Sequence, residues 1–340
     1  MGATRILSTQ TPQLFREAVQ IAAQALIAGE VVVLPTETVY GLAANALNPA
    51  AVRKIYEIKG RPAHNPIIVH VSDRAMAQAC AGEWNDTADR LARQFWPGPL
   101  TIVVPKAASI PEVVTAGGAT VGLRCPGHPF MRAVIELCGF PLAAPSANPA
   151  NCLSPTIVEH VLKGFGDKLS LIVDGGACNV GIESTVVDVT TGRIHVLRPG
   201  IISREELEAA AAEGSHDAGN LKTETVLRSP GQLPRHYAPK ARLLLLEWGN
   251  EKELVEQLQA LRISPAKCHL LAHRNIPLSG LLHQVAVVPE DPEAYARALY
   301  AELHRCDEEG AEVVVVELPP DTSRWQGIRD RLKRAATPAA

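Results

Sequence analysis

The 340-residue chain exceeds the ~250–300 residues at which single hydrophobic cores stop growing, so two domains are expected. Hydrophobic residues at 46% against 20% charged exclude a disordered chain, and a net charge of −3 lacks the basic excess of a dedicated nucleic-acid binder. The longest apolar runs, at 31–34, 243–246 and 313–316, are strand-length and far short of the ~20 residues that span a bilayer.

From the N-terminus, Thr11 is placed to cap a first helix, Pro12 suits its first turn, and Gly29 follows its end. Phe15, Val19, Ala22 and Leu26 recur at helical spacing and should face a core. Residues 31–34 read as a buried strand broken by Pro35. A second helix runs from Pro49, behind the Asn48 cap, to about 58, where Gly60 stops it. Further strands are predicted at 67–71, 101–104, 121–123, 142–144, 171–173, 185–189 and 195–197, with helices around 86–94, 129–138 and 155–163. This alternation is an α/β pattern.

After Arg198-Pro199-Gly200 the texture changes. A short helix at 203–212 leads into a polar, aperiodic stretch at 214–220, then into Pro230, Pro234 and Pro239, so residues 201–241 read as a linker. Beyond it, strands at 242–247, 268–272, 285–288 and 312–317 alternate with helices around 250–262, 291–305 and 325–334, a small doubly wound domain. Domains are therefore expected at 1–200 and 242–340.

The seven cysteines (80, 125, 138, 152, 178, 268 and 306) are scattered, with no Cys-x-x-Cys pair, which points to reduced thiols in the cytoplasm. His269 and His273 suit a metal only on a helix, whereas their segment reads as a strand. No Walker A sequence, no G-x-G-x-x-G after a strand and no G-x-S-x-G is present.

Six polar clusters instead sit at the ends of apolar strands: 35–42 (PTETVYGL), 59–62 (KGRP) with Asn65 and His70 behind it, Thr120 to Arg124, Ala144 to Asn148 followed by Ser154, Glu183-Ser184-Thr185, and Arg198-Pro199-Gly200. Arginine offers a planar fork to phosphate or carboxylate, lysine a point charge, and hydroxyls neutral hydrogen bonds that fix orientation, so the set points to an anionic ligand. Each cluster alone also has a plain structural reading: Lys59 and Arg61 at a helix C-terminus favour the macrodipole, and Ser146 and Asn148 are ordinary turn residues. Their joint occurrence is what points to chemistry.

That series, in this order, resembles the Sua5/YrdC/YwlC family, the L-threonylcarbamoyladenylate synthases, over residues 12–200. Ser229 to Pro239 is similar to the linker of the long, Sua5-type members, whose C-terminal α/β domain the remaining chain would supply. The resemblance implies a YrdC-like twisted mixed sheet with flanking helices, plus a smaller Rossmann-like Sua5 domain. It implies synthesis of threonylcarbamoyl-AMP from L-threonine, bicarbonate or CO2, and ATP, with release of pyrophosphate. The product would pass to the tRNA threonylcarbamoyl-transferase machinery, which makes N6-threonylcarbamoyladenosine in tRNAs that read ANN codons; direct tRNA contact is not required. By the same resemblance Thr38, His70, Arg124, Ala144 and Ser184 form the threonine pocket. Arg61, Asn65, Thr120, Ser146, Ser154, Arg198 and the linker's His236 contact ATP, while Lys59 and Asn148 complete basic and polar pairs near the phosphates, with Lys59 and Arg61 taken as catalytic. Mg²⁺ would ride mainly on the ATP phosphates, because no acidic cage is evident. Residues 229–239, with Arg235, His236 and Tyr237 together, are expected to act as a lid.

Two rival readings compete with this one. An RNA-binding module in tRNA or ribosome maturation would use the same basic cleft, but aromatics are only 4% of the chain and no basic–aromatic stripe occurs. A carbamoyltransferase akin to hydrogenase-maturation proteins would need acylphosphatase and zinc-finger regions, and neither pattern is present.

Overall fold

A computed structural model of the chain describes residues 4–211, 237–265, 268–277, 280 and 284–337. These fall into two compact units, the first taking residues up to 150 and 154–211, the second 151–153 and 237 onward.

The first unit is built on one ten-stranded mixed sheet. Its strands are β1 (Arg5–Ser8), β2 (Val32–Leu34), β3 (Gly41–Asn45), β4 (Val69–His70), β5 (Leu100–Pro105), β6 (Thr120–Arg124), β7 (Leu142–Ala143), β8 (Leu171–Asp174), β9 (Thr185–Asp188) and β10 (His195–Arg198). Across the sheet they run β1-β8-β2-β3-β7-β4-β6-β5-β9-β10.

The central strand β2 shows why its sequence is apolar throughout. Val33 packs with Tyr40, Leu42 and Ala44 in one core, while Val32 and Leu34 join Leu26, Phe130 and Val134 in another. A strand covered on both faces needs no polar alternation. Each such side chain contributes about 1.5–3 kcal/mol by leaving water.

Helix α1 (Pro12–Ile27) begins where Thr11 accepts the Leu14 amide at 3.2 Å, and it buries Ala18, Val19, Ala22, Ala23 and Leu26. Helix α2 (Pro49–Lys59) is capped by Asn48, whose Oδ1 accepts from the Ala50 and Ala51 amides at 3.0 and 3.3 Å. It ends at Gly60, whose φ of 60° lies in the left-handed region that favours glycine. The helices α3 (Arg74–Cys80), α4 (Asp86–Phe95), α5 (Glu112–Thr115), α6 (Pro129–Cys138) and α7 (Val158–Phe165) complete the layers around the sheet.

Beyond β1, α3 and α5, which the sequence did not announce, β3 and the helix after β10 differ from the sequence expectation. β3 was hidden inside a polar-looking cluster, since Gly-Leu-Ala-Ala-Asn carries no β-branched residue; it is a strand because β2 and β7 pair with it on either side. Helix α8 (Arg204–Ala211), read as the start of the linker, packs in the first unit, against α4, with Leu207 completely buried in the main core.

The second unit holds four parallel strands, β11 (Arg242–Leu246), β12 (Cys268–Ala272), β13 (Gln284–Val287) and β14 (Val313–Glu317), in the order β11-β14-β12-β13. Helices α9 (Glu251–Ala260), α10 (Pro292–Glu308) and α11 (Gln326–Ala335) accompany them. Glu317, ending the central β14, accepts the amides of His273, Arg274 and Asn275 at 2.7, 2.9 and 3.0 Å and so fixes the turn leaving β12. His269 lies on strand β12 beside Glu309 and His273 beside Glu317, so the two imidazoles do not share a helix face. Tyr237, expected in the linker, is buried here, 6.2 Å from the Tyr300 ring and 5.3 Å from the Arg331 guanidinium. No helix among the described residues is long and apolar enough to cross a membrane.

Candidate functional site

Sheet order brings together residues that the sequence scatters. Five adjacent strands, β4-β6-β5-β9-β10, carry His70, Arg124, Thr101, the Ser184–Thr185 step and Arg198. His70 pairs directly with Arg124 across β4 and β6. Thr101 lies one residue beyond the Ile102–Leu123 pair of β5 and β6. Leu100 faces Thr185, and Val186 faces Arg198. The result is a cross-strand row of polar side chains, all buried, in an otherwise apolar sheet.

Arg124 is held from the loop after β2. There Thr36 Oγ1 accepts the amides of Thr38 and Val39, both at 3.2 Å, and the Thr36 and Thr38 hydroxyls meet at 2.9 Å. This local turn aims Thr38, which accepts Arg124 Nη2 at 2.9 Å. The same nitrogen stands 2.8 Å from Glu37 Oε1, an ion pair whose side chains are only 5% and 10% exposed. Burial is the largest single influence on Glu37 and pushes its pKa up, but the Arg124 charge and the neighbouring Gly127 amide together outweigh it and hold the carboxyl below its ordinary value. His70 is pushed down to about 3, first by burial and then by the Arg124 charge, so it is a neutral imidazole with a buried Nδ1 that meets no hydrogen-bond partner. Ala144 donates its amide to Ile68 at 3.0 Å and presents its Cβ against Gly41, where an added Cβ would stand 3.4 Å away.

Ser184 is fixed from two sides. Its hydroxyl meets Thr101 Oγ1 at 2.8 Å, and Arg198 donates to its carbonyl from Nε at 3.1 Å and Nη2 at 3.0 Å, and to Oγ from Nη2 at 3.1 Å.

The Lys-x-Arg and Ser-x-Asn segments meet in space. Lys59, buried at the end of α2, donates Nζ to the Ser146 carbonyl at 2.6 Å and to the Asn148 carbonyl, and stands 3.4 Å from Asn148 Oδ1. Arg61 clamps the following loop, from Nε to the Asn65 carbonyl at 3.1 Å and from Nη2 to the Pro66 carbonyl at 2.6 Å. Asn65 Oδ1 is buried without a hydrogen-bond partner. Ser154 donates to Glu183 Oε1 at 2.5 Å.

Thr120 stands apart. It opens β6 while Arg124 closes it, which separates the two by about 13 Å of extended chain. His236 and Arg235 lie outside the described residues. Glu37 and Thr101 are among the polar members of the site that sequence reasoning left unassigned, as are Thr36 and Glu183. Glu37 sits inside the first motif, so a signal was there; Thr101 sits in an apolar run and carried none.

A family model described as "telomere recombination", the Sua5–YciO–YrdC domain, matches residues 24–200, and one described as "threonylcarbamoyl-AMP synthase, C-terminal domain" matches 202–337. The chain belongs to the Sua5/YrdC family. Among relatives in that family, the threonylcarbamoyl-AMP synthase of Bacillus subtilis is 38% identical over 99% of this chain and 96% of its own length. The Pyrococcus abyssi protein of the same name is 37% identical over 94% of each chain. The crystal structure of P. abyssi Sua5 complexed with L-threonine superposes with a TM-score of 0.86 at 35% identity, covering 98% of both chains. The likeness is thus to the long, two-domain Sua5 form.

Proposed function

We propose that the chain is a nucleotidyltransferase that makes L-threonylcarbamoyl-AMP from L-threonine, bicarbonate or CO2, and ATP, releasing pyrophosphate. The observation that carries this reading is the buried row centred on Arg124, a guanidinium with hydroxyl neighbours at the end of a parallel strand pair, in a chain whose full-length relatives bear that enzyme's name.

Arg124 offers its fork to the threonine carboxylate, which fixes the whole substrate because a bidentate pair sets both distance and plane. Thr38, His70, Ala144 and Ser184 supply the walls. The neutral His70 ring adds no charge, and its buried Nδ1 is left for the substrate to meet. Lys59, Arg61, Asn65, Thr120, Ser146, Asn148, Ser154, Arg198 and His236 are assigned to ATP. The chemistry is capture of CO2 by the threonine amine, then attack of the new carboxylate on the α-phosphorus with pyrophosphate leaving. Little covalent work falls to the protein, so positioning and stabilisation of charge dominate. Lys59, tied to the Ser146 and Asn148 carbonyls, and Arg61, tied to the Asn65 and Pro66 carbonyls, hold the geometry in which phosphate charge would be met.

Among the described residues no group of three or more His, Cys, Asp or Glu side chains is placed to hold a metal ion. The donors here are cations, amides and hydroxyls, which suit phosphate oxygens, so a divalent ion such as Mg²⁺ fits as a passenger of ATP and would neutralise phosphate charge there. The product suits transfer to the tRNA-modifying machinery, and the proposed location is the cytoplasm. The test is pyrophosphate release measured with threonine and bicarbonate omitted in turn: release should require both, and equal release without either would refute the reading in favour of a plain ATPase.

A further inference from the structure

We propose that Glu37 sets the charge selectivity of the amino-acid pocket, making it accept a zwitterionic α-amino acid in preference to a bare carboxylate. The inference rests on Arg124 being the group that receives the substrate carboxylate.

Arg124 does not wait as an isolated cation. Its Nη2 lies 2.8 Å from Glu37 Oε1, and both side chains are at least nine-tenths buried, so the charge of Arg124 is already offset before anything binds. Charges in such a setting interact far more strongly than in water. A bare carboxylate entering there would leave one uncompensated negative charge, a costly state away from solvent. A zwitterion brings its own ammonium and leaves none.

The hydrogen bonding points the same way. Glu37 Oε1 faces Arg124 Nη2 and the Gly127 amide lies beside the carboxyl, but no aligned hydrogen bond reaches Glu37 Oε2 or Arg124 Nε, and both atoms are buried. Buried polar atoms of this kind are exceptional and call for a ligand or another explanation. The gap between the guanidinium nitrogen and the carboxylate oxygen is close to that between a carboxylate oxygen and the ammonium nitrogen of one α-amino acid, so the pair is complementary to a zwitterion in charge and in spacing.

Glu37 is also fixed in place. Its carbonyl accepts the Val180 amide at 2.7 Å, the Thr36 hydroxyl organises the turn on which it rides, and a Cβ on Gly127 would stand 3.3 Å from its carboxyl carbon. Held there beside Arg124, its carboxylate would face the substrate ammonium directly, which makes it a selectivity residue.

The experiment is calorimetric titration of the full-length protein with L-threonine and with β-hydroxybutyrate, which is threonine without its amino group. Wild type, Glu37→Gln and Glu37→Asp are compared, with ATP binding and thermal melting as controls for folding. Wild type should prefer threonine; the preference should shrink about tenfold or more in Glu37→Gln, on the scale expected when one member of a buried charge pair is removed, and survive in Glu37→Asp. If Glu37 merely props up the arginine, both ligands weaken together in Glu37→Gln and the ratio stays, which overturns the inference while leaving the threonine reading intact. Equal binding of both ligands by wild type overturns it without recourse to any variant. Failure of wild type to bind threonine removes the underlying reading and the inference with it.

Discussion

Replacing Arg124 by alanine removes the centre of the buried row and has consequences for binding and for stability that carry opposite diagnostic weight. For binding, loss of one partner of a desolvated, hydrogen-bonded charge pair costs about 2–5 kcal/mol, so threonine affinity should fall about 30- to 4,000-fold. ATP affinity should change far less, because Arg61 and Lys59 are anchored in other loops. For stability, the change strands Glu37, whose carboxylate keeps no other cation at ion-pair distance among the described residues. Breaking a buried pair costs about 3–5 kcal/mol. In a unit of some 200 residues this corresponds to about 6–20 °C in Tm. The pH dependence then fixes the cause. In the wild type Glu37 has a pKa held below its ordinary 4.5, so its contribution is fully present above that value and is lost as pH falls through the lowered one. Without Arg124 the upward push of burial is opposed only by backbone amides, so the variant lacks the stability that wild type gains as this carboxyl ionises. The gap in Tm between the two proteins should thus be small near about pH 4 and widen toward neutrality. Titration calorimetry with threonine and with a non-hydrolysable ATP analogue, and thermal melts across that range, test both halves. Unchanged threonine binding would show that Arg124 does not hold the substrate, and a pH-independent gap would show that Glu37 is not its charge partner.

Tyr40→Phe should cost about 1–3 kcal/mol in denaturant unfolding, because the hydroxyl donates to the Gly176 carbonyl at 2.7 Å and accepts the Gly175 amide at 3.2 Å, and both would be left unpaired. Lys59→Met should weaken the ATP analogue at least about tenfold while sparing threonine, since Nζ ties the Ser146 and Asn148 carbonyls together; equal loss of both ligands would place Lys59 elsewhere. His70, lowered to about 3, should add stability that is full above its ordinary 6.5 and is lost as pH falls, so threonine binding should show no step near 6.5, and a step there would mean that the imidazole charges in the pocket. Chelation of divalent ions should abolish pyrophosphate release yet leave threonine binding intact, which calorimetry in a chelating buffer would check.

What the sequence determined by itself is local. Thr11 and Asn48 start α1 and α2 and Gly60 stops α2, because caps and left-handed glycines act within a few residues of the chain they shape. The apolar run of β2 announces a strand covered on both faces, and the order of polar motifs is enough to place the chain in its family. Tertiary structure decided who meets whom. Arg124 reaches Thr38 across 86 residues, Thr101 reaches Ser184 across 83, and Lys59 reaches Ser146 across 87. It also turned Gly41–Asn45 into a strand, drew α8 into the first unit, set Thr120 at the far end of β6, and placed Glu37 beside Arg124. The reason is that periodicity reports only which side of an element is buried. Which strands become neighbours depends on how all the elements pack, and here the order β4-β6-β5-β9-β10 turns residues from distant segments into a single row of charge and hydroxyls.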